Sequence, residues 1–172
     1  MYISILFSNN KNGDNMNIKD IMNKSIIYGD IDNTIEEICN LMKTYDIGFI
    51  PIKNNHYYIG VITDRDIVIK ALTNNVELDN SIEPFITNNI ISVDINNSLE
   101  EAIKLMSDNQ VRRIMVKNKD KFVGIISLSD ILSIHLDFDV LKYISKIFMP
   151  INNTNFTNDI DLPQAEIDEF EL

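Results

Sequence analysis

One stretch of this chain is written twice. A shift of 64 positions lays residues 18–69 on residues 82–133 without a gap, and 17 of the 52 pairs are identical. An Ile- and Asn-rich chain gives a few identities by chance, but chance does not keep one register through turns. Whatever one copy folds into, the other repeats, and the chain suits one compact domain or two small fused units with a real core. Its 172 residues, 45% of them hydrophobic, suit that size and are too few for a large barrel enzyme.

Each copy predicts the same order of elements. A short strand (26–28; 90–93) leads into a helix opened by Thr34 with Glu37, or by Ser98 with Glu101, the spacing of a capping box. Ile35, Ile38, Met42 and Tyr45, and likewise Leu99, Ala102, Ile103 and Met106, then fall at helical spacing and give each helix one apolar face. Two strands follow, 48–52 and 57–63 in the first copy, joined by the polar turn KNNH, whose counterpart is KNKD. A helix over 64–72 closes the first unit, and the closing helix of the second runs on toward Phe148. A three-stranded sheet leaves a face or an edge uncovered, and two copies about a pseudo-twofold axis cover each other. The expected fold class is α/β (α+β), two pseudo-twofold-related βαββα repeats with two equivalent clefts between them. The boundaries read as an N-terminal extension (1–15), repeat one (16–80), repeat two (81–148) and an acidic C-terminal tail (149–172).

Charge and cysteine content narrow the function classes. The formal charge of -11 argues against nucleic acid or an anionic membrane as partner, because phosphates must be met by clustered Lys and Arg. No basic residue follows Lys146, whereas Asp159, Asp161, Glu166, Asp168, Glu169 and Glu171 do, so the body itself is nearly balanced. Cys39 is the only cysteine and falls in an apolar stripe, which excludes an internal disulfide and fits a reducing cytosol. The opening MYISILF lacks a basic region and a cleavage site, and no apolar run reaches membrane length, so a cytoplasmic protein is expected. His56, in a polar turn, and His135, in a helix, have no partners at metal or nucleophile spacing, so neither a metal site nor an enzyme is expected.

The chemistry rests on a pattern found in both copies. GVITDRD (60–66) and GIISLSD (124–130) each place a glycine, then a hydroxyl where a strand ends, then a carboxylate three residues later. The start of the following helix attracts an anion, the hydroxyl can donate to a phosphate or ribose oxygen, and the carboxylate can accept from two vicinal hydroxyls. The same spacing is a variant of the capping box, so a purely structural role stays open. Gly60 and Gly124 read as points of close backbone approach. In the second copy VRRI replaces IGFI, placing Arg112 and Arg113 at a strand start, where alternation turns at least one guanidinium inward or into a cleft.

Taken together, the repeat, the glycine, hydroxyl and Asp pattern and the GFIPI strand resemble a pair of CBS domains, the module named after cystathionine beta-synthase, in the tandem form called a Bateman module. The resemblance covers residues 16 to 135, and VGIISLSDIL is similar in particular to the matching stretch in the gamma regulatory subunit of AMP-activated protein kinase. It implies that Asp66 and Asp130 hold ribose, and that Thr63, Arg65, Ser127 and Ser129 contact ribose or phosphate. It implies clefts built crosswise. Cleft one would join Thr63, Arg65 and Asp66 to Ile90, Ile91, Arg112 and Arg113. Cleft two would join Ser127, Ser129 and Asp130 to Ile26, Ile27, Gly48 and Phe49, and so would lack the arginines that meet phosphate. The implied function is a stand-alone sensor that binds an adenine nucleotide (AMP, ADP or ATP) or an adenosyl ligand such as S-adenosylmethionine and signals by population shift, with no resident cofactor. The implied assembly is a homodimer with an unidentified regulated protein as a further partner. The rival reading is a non-catalytic assembly scaffold. An enzyme of the inosine monophosphate dehydrogenase kind, in which such pairs occur inserted, needs a barrel and a reactive cysteine that this chain lacks.

Overall fold

The structure, a computed structural model, describes residues 17–133 and Ile147. The extension 1–15, His135 and the acidic tail lie outside the described residues. The expected mixed α and β architecture is what forms. One sheet holds β1 (Gly29–Asp30), β2 (Phe49–Asn54) and β3 (Tyr57–Thr63), and a second holds β4 (Ser92–Asp94), β5 (Arg113–Asn118) and β6 (Lys121–Ser127). In each, the first strand runs parallel to the middle one and the last pairs with it as an antiparallel hairpin. The register shifts at Ile52/Lys53 in one hairpin and at Val116/Lys117 in the other, positions related by the repeat. Asn55 and Lys119, also related, take positive φ in the two turns. The opening strands form later than the sequence suggests: residues 26–28 precede the ladder, and in the second copy pairing starts only at Ser92.

The helices are α1 (Ile18–Ile21), α2 (Ile35–Tyr45), α3 (Asp64–Asp66), α4 (Leu99–Asn109) and α5 (Leu128–Leu132). Both long helices open on the expected box: Glu37 N donates to Thr34 Oγ1 at 3.2 Å while Thr34 N donates to Glu37 Oε2 at 3.0 Å. Ser98 and Glu101 repeat the exchange at 3.2 and 2.9 Å. Ile35 and Ile38 are buried, as are Leu99, Ala102, Ile103 and Met106, but Tyr45, expected on the apolar face, is half exposed at the end of α2. The helix expected over 64–72 is also corrected. After α3 the chain widens into a π-turn (Ile67–Ala71) and then a 3-10 turn (Leu72–Asn74). The run Ile67, Val68, Ile69 is β-branched and crowds a regular helix; the wider turn buries Ile67 and Ala71 and leaves Val68, Ile69 and Leu72 exposed.

The two copies exchange their leading segments. Ile18 packs into the core of the second copy with Val93, Leu99 and Ile126, and Ile82 and Phe85 pack into the core of the first with Ile35, Ile50 and Ile62. Ile82 is the counterpart of Ile18 under the 64-residue shift. The boundary drawn between residues 80 and 81 therefore divides the sequence repeats but not the packed units. Between the sheets, Tyr58 meets Phe122 edge to face at 5.7 Å, and these are counterparts too, as a contact across a pseudo-twofold axis must be. Lys53 lies over the Tyr28 ring at 3.5 Å, and burial, with Tyr28 beside it, pushes the Tyr58 hydroxyl above its ordinary range.

Candidate functional site

The exchange of leading segments explains the two glycines. Thr87 pairs with Val61 on the open edge of β3, and Asn23 pairs in the same way with Ile125 on β6. A Cβ on Gly60 would stand 2.7 Å from Thr87 O, and one on Gly124 would stand 2.9 Å from Asn23 O. The backbone that comes close is therefore the crossing segment of the other copy, and the glycines are accounted for without a ligand. The crossing holds each strand end against the opposite copy and opens a cleft on either side.

Cleft one is a cavity of about 500 Å³. Thr63, Arg65 and Asp66 reach it from the end of β3 and from α3, Thr87, Asn89 and Ile91 from the crossing segment, and Asn109, Gln110, Arg112 and Arg113 from the end of α4 and the start of β5. Cleft two is smaller, about 160 Å³, lined by Asn23, Ser25 and Ile27 on one side, Ile125, Ser127 and Asp130 on the other, and Ile47, Phe49 and Arg113 between them. The structure thus brings Thr63, Arg65, Asp66, Ile91, Arg112 and Arg113 together in one place, and Ser127, Asp130, Ile27 and Phe49 in another. Ile26 and Ile90 line neither cleft, because extended backbone alternates its side chains and Ile27 and Ile91 take the inward positions. Ser129 does not line cleft two either; its hydroxyl lies 2.8 Å from that of Ser127.

Gly48 belongs to cleft one rather than cleft two. The Asp64 carboxyl packs against its Cα, so closely that a Cβ there would lie 2.8 Å from Asp64 Cγ. At the matching place the second copy has buried Leu128 beside Arg112. Both arginines are exposed, so neither guanidinium is the buried one that strand alternation allowed for. Arg113 lines both cavities and brings to cleft two the cation that its own wall was expected to lack.

Both aspartates cap their own helix starts. Thr63 donates to Asp66 Oδ2 from its N–H at 3.0 Å and from its hydroxyl at 2.6 Å, and Asp66 N returns a bond to Thr63 Oγ1 at 3.1 Å. Ser127 donates to Asp130 Oδ2 from N–H at 2.8 Å and from its hydroxyl, and Asp130 N returns a bond at 3.1 Å. The α3 turn offers no free amide to an anion. Asp64 N donates to Gly48 O at 3.3 Å, Arg65 N to Asp64 Oδ1 at 2.7 Å, and Asp66 N to Thr63. The expectation that this helix start attracts a phosphate is therefore corrected, and in cleft one an anion must be met by side chains. Burial alone would raise the Asp66 pKa; the bonds from Lys70 and from the Thr63 side chain and backbone, with the Lys70 charge, outweigh it and hold the carboxyl below its ordinary range.

Lys70 was missed in the sequence, although it stands four residues after Asp66, the spacing of a helical ion pair, and forms one at 2.6 Å. Asn89, Asn109 and Gln110 were missed because they lie in loops and at a helix end, where no periodicity marks an inward side chain. Gln110 closes α4 at φ 54°, as Asp46 closes α2 at φ 52°.

The sequence model of the family described as "CBS domain" matches residues 18–72 and 82–137. Hypoxic response protein 1 of Mycobacterium tuberculosis is 30% identical over 135 residues, which cover 77% of this chain and 94% of that protein. The CBS domain-containing protein YhcV of Bacillus subtilis is 30% identical over 114 residues, covering 66% and 81%. Among solved structures, the CBS domain pair of protein MJ0100 in complex with 5-methylthioadenosine and S-adenosyl-L-methionine is similar with a TM-score of 0.63 at 27% identity, over 70% of this chain and 95% of that one. Hypoxic Response Protein I with two coordinated zinc ions is similar with a TM-score of 0.61 at 32% identity, over 69% and 98%. Among the described residues of this chain no three His, Cys, Asp or Glu side chains stand together as a metal would require.

Proposed function

The chain belongs to the CBS-domain family, with two such domains in tandem, and on that premise we propose that it is a regulatory module binding an adenine nucleotide in cleft one. One observation carries the reading: a cavity of about 500 Å³ between the copies, with the Thr63 and Asp66 pair on one wall and Arg112 and Arg113 on the other. Pockets for small ligands run to about 300–1,000 Å³, so cleft one has the room. Ile91 and Phe49 offer apolar contact to a purine, Asp66 the acceptor for ribose, and the arginines the partners for phosphate. The related MJ0100 pair holds adenosyl compounds, which supports adenine as the base. AMP, ADP, ATP and S-adenosylmethionine are the ligand set, and the reading assigns no catalytic step.

The signal would be a shift between conformations that the ligand binds unequally, felt by a partner protein or a second copy. Val68, Ile69, Leu72 and Leu132 are exposed apolar residues on the closing helices, Val68 and Leu132 being counterparts, and they suit a homodimer. Among the described residues no helix is long and apolar enough to cross a membrane; the reading places the module in the cytoplasm.

Isothermal titration calorimetry with AMP, ATP and S-adenosylmethionine tests this. The wild type should bind at least one of them, and Asp66→Ala should weaken that binding about tenfold or more. The aspartates already serve as caps, which favours one rival, an assembly scaffold with no nucleotide. That rival predicts no heat from any of the three, and Asp66→Ala would then cost only the cap, about 1 kcal/mol of stability.

A further inference from the structure

Cleft one has a cation ion-paired with its carboxylate Asp66, and among the described residues none is ion-paired with Asp130. Lys70 Nζ lies 2.6 Å from Asp66 Oδ1 and 3.5 Å from Thr87 Oγ1. Asp66 lines the cavity from the first copy and Thr87 from the crossing segment of the second, so the ammonium lies between two residues of the lining without belonging to it. The other oxygen, Oδ2, already accepts from both the N–H and the hydroxyl of Thr63. A carboxylate offers about four acceptor positions, so Oδ2 is filled and Oδ1 has one place left beside the lysine. A vicinal diol needs two. Under the 64-residue shift the counterpart of Lys70 is Ile134, an uncharged residue.

We propose that Lys70 is the specificity-determining residue of cleft one: its ammonium occupies the carboxylate position that a ribose diol would use, and it yields that position to a ligand bringing an anion of its own. The inference rests on the reading of cleft one as a nucleotide site and adds to it a ligand class, phosphorylated nucleosides in preference to neutral ones. A neutral nucleoside must displace the ammonium and gives it nothing in return. A phosphorylated one offers Lys70 an oxyanion as it takes the carboxylate. The side chain is nearly half exposed on a flexible four-carbon stem, so it can turn from one anion to the other without disturbing the core. Arg65, Arg112 and Arg113 also favour phosphate, but only Lys70 is ion-paired with Asp66 among the described residues.

The test is calorimetric titration of wild type, Lys70→Met and Lys70→Gln with AMP and with adenosine, each protein checked by thermal melting. Lys70→Met keeps the aliphatic stem, and Lys70→Gln is the second variant should the first fail to fold. Wild type should prefer AMP to adenosine by more than about tenfold. Both variants should bind AMP more weakly, yet bind adenosine about two- to fivefold more tightly, the worth of a partly exposed ion pair removed from the ligand's path. Loss of a positive charge alone would not improve adenosine binding. Folded variants whose adenosine affinity is unchanged or lower overturn the proposal and leave the nucleotide reading intact. A wild type that binds adenosine as tightly as AMP, or binds neither compound, overturns the preference assigned to Lys70, while the nucleotide reading itself stands or falls on the separate titrations with ATP and S-adenosylmethionine.

Discussion

Cleft one and cleft two share a frame position by position. Val61, Thr63, Asp66, Thr87 and Ile91 line the first, and their counterparts Ile125, Ser127, Asp130, Asn23 and Ile27 line the second. Several exchanges separate the copies, among them Asp64 against Leu128, Arg65 against Ser129 and Gln110 against Asp46 in the lining of cleft one, and Lys70 against Ile134 in the sequence beside it. Phe49 and Arg113 line both cavities and distinguish neither. With those exchanges the volumes are about 500 and 160 Å³, the first within the usual range for a small-molecule pocket and the second below it. Duplication with crossed leading segments thus fixes where a polar cavity opens. Side chains outside the two cores then give each cleft its own charge.

The largest effect should come from the part the clefts share. A Cβ on Gly60 would strike Ile86 and the Thr87 carbonyl, which the bond from Val61 N at 3.0 Å holds in place. On Gly124 it would meet Met22 Sδ at 2.8 Å and Asn23 O at 2.9 Å, and the methionine end can give way. Gly60→Ala should therefore cost about 2–3 kcal/mol of unfolding free energy and Gly124→Ala about 1–2 kcal/mol. Urea denaturation midpoints measure both. Two small, equal losses would break the view that the crossing of the two copies holds the clefts open.

How much of this could be read beforehand depends on whether a feature follows from local pattern or from the crossing. Thr34 with Glu37 and Ser98 with Glu101 were readable because a capping box is a contact between near neighbours. Tyr57–Thr63 matched because a β-branched run before a polar helix start has few other ways to fold. Gly60 was recognised as a point of close approach, but what approaches, Thr87 from the other copy, is 27 residues away in sequence. The π-turn at Ile67–Ala71 was not readable, since its period lies close to that of a helix. The filled amides of Asp64, Arg65 and Asp66 likewise appear only when Gly48 O and the side chains are in position. Sequence placed the hydroxyl and carboxylate pairs correctly on the strand ends and overstated how much of the helix start they leave for a ligand.

A middle-sized effect separates the two arginines. Arg112 lines cleft one alone, and Arg113 lines both. Arg112→Ala should lower AMP affinity about tenfold, the value of one charge-assisted bond, and should lessen its dependence on salt. Arg113→Ala should do the same in cleft one and also alter any ligand response of cleft two, followed by the chemical shifts of Ile27 and Ile125 on titration. An AMP affinity indifferent to Arg112→Ala would remove phosphate from the account of cleft one, whereas a response of Ile27 and Ile125 to Arg112→Ala would show that the clefts are not separate sites.

The smallest effect should be a difference in acid stability between wild type and Lys70→Met. Glu37 is held below its ordinary pKa by the backbone N–H of Thr34, with help from Asn33, and Glu101 by that of Ser98, so this acid sensitivity is common to both copies. Asp66 adds a contribution of its own: burial opposes ionisation, but Lys70 and Thr63 prevail and the folded pKa is lowered. A lowered carboxyl pKa means stability that is present above the unfolded value, about pH 4, and is lost as pH falls through the folded value. Wild type should therefore lose more unfolding free energy between pH 5 and pH 2 than Lys70→Met does. The group is partly exposed and solvent screens it, so the difference should be on the order of a few tenths of a kcal/mol. Urea unfolding of the two proteins across that interval measures it. A steeper loss in Lys70→Met would mean that the lysine does not favour the ionised carboxylate in the folded chain, and the ion pair that distinguishes cleft one would have no energetic weight.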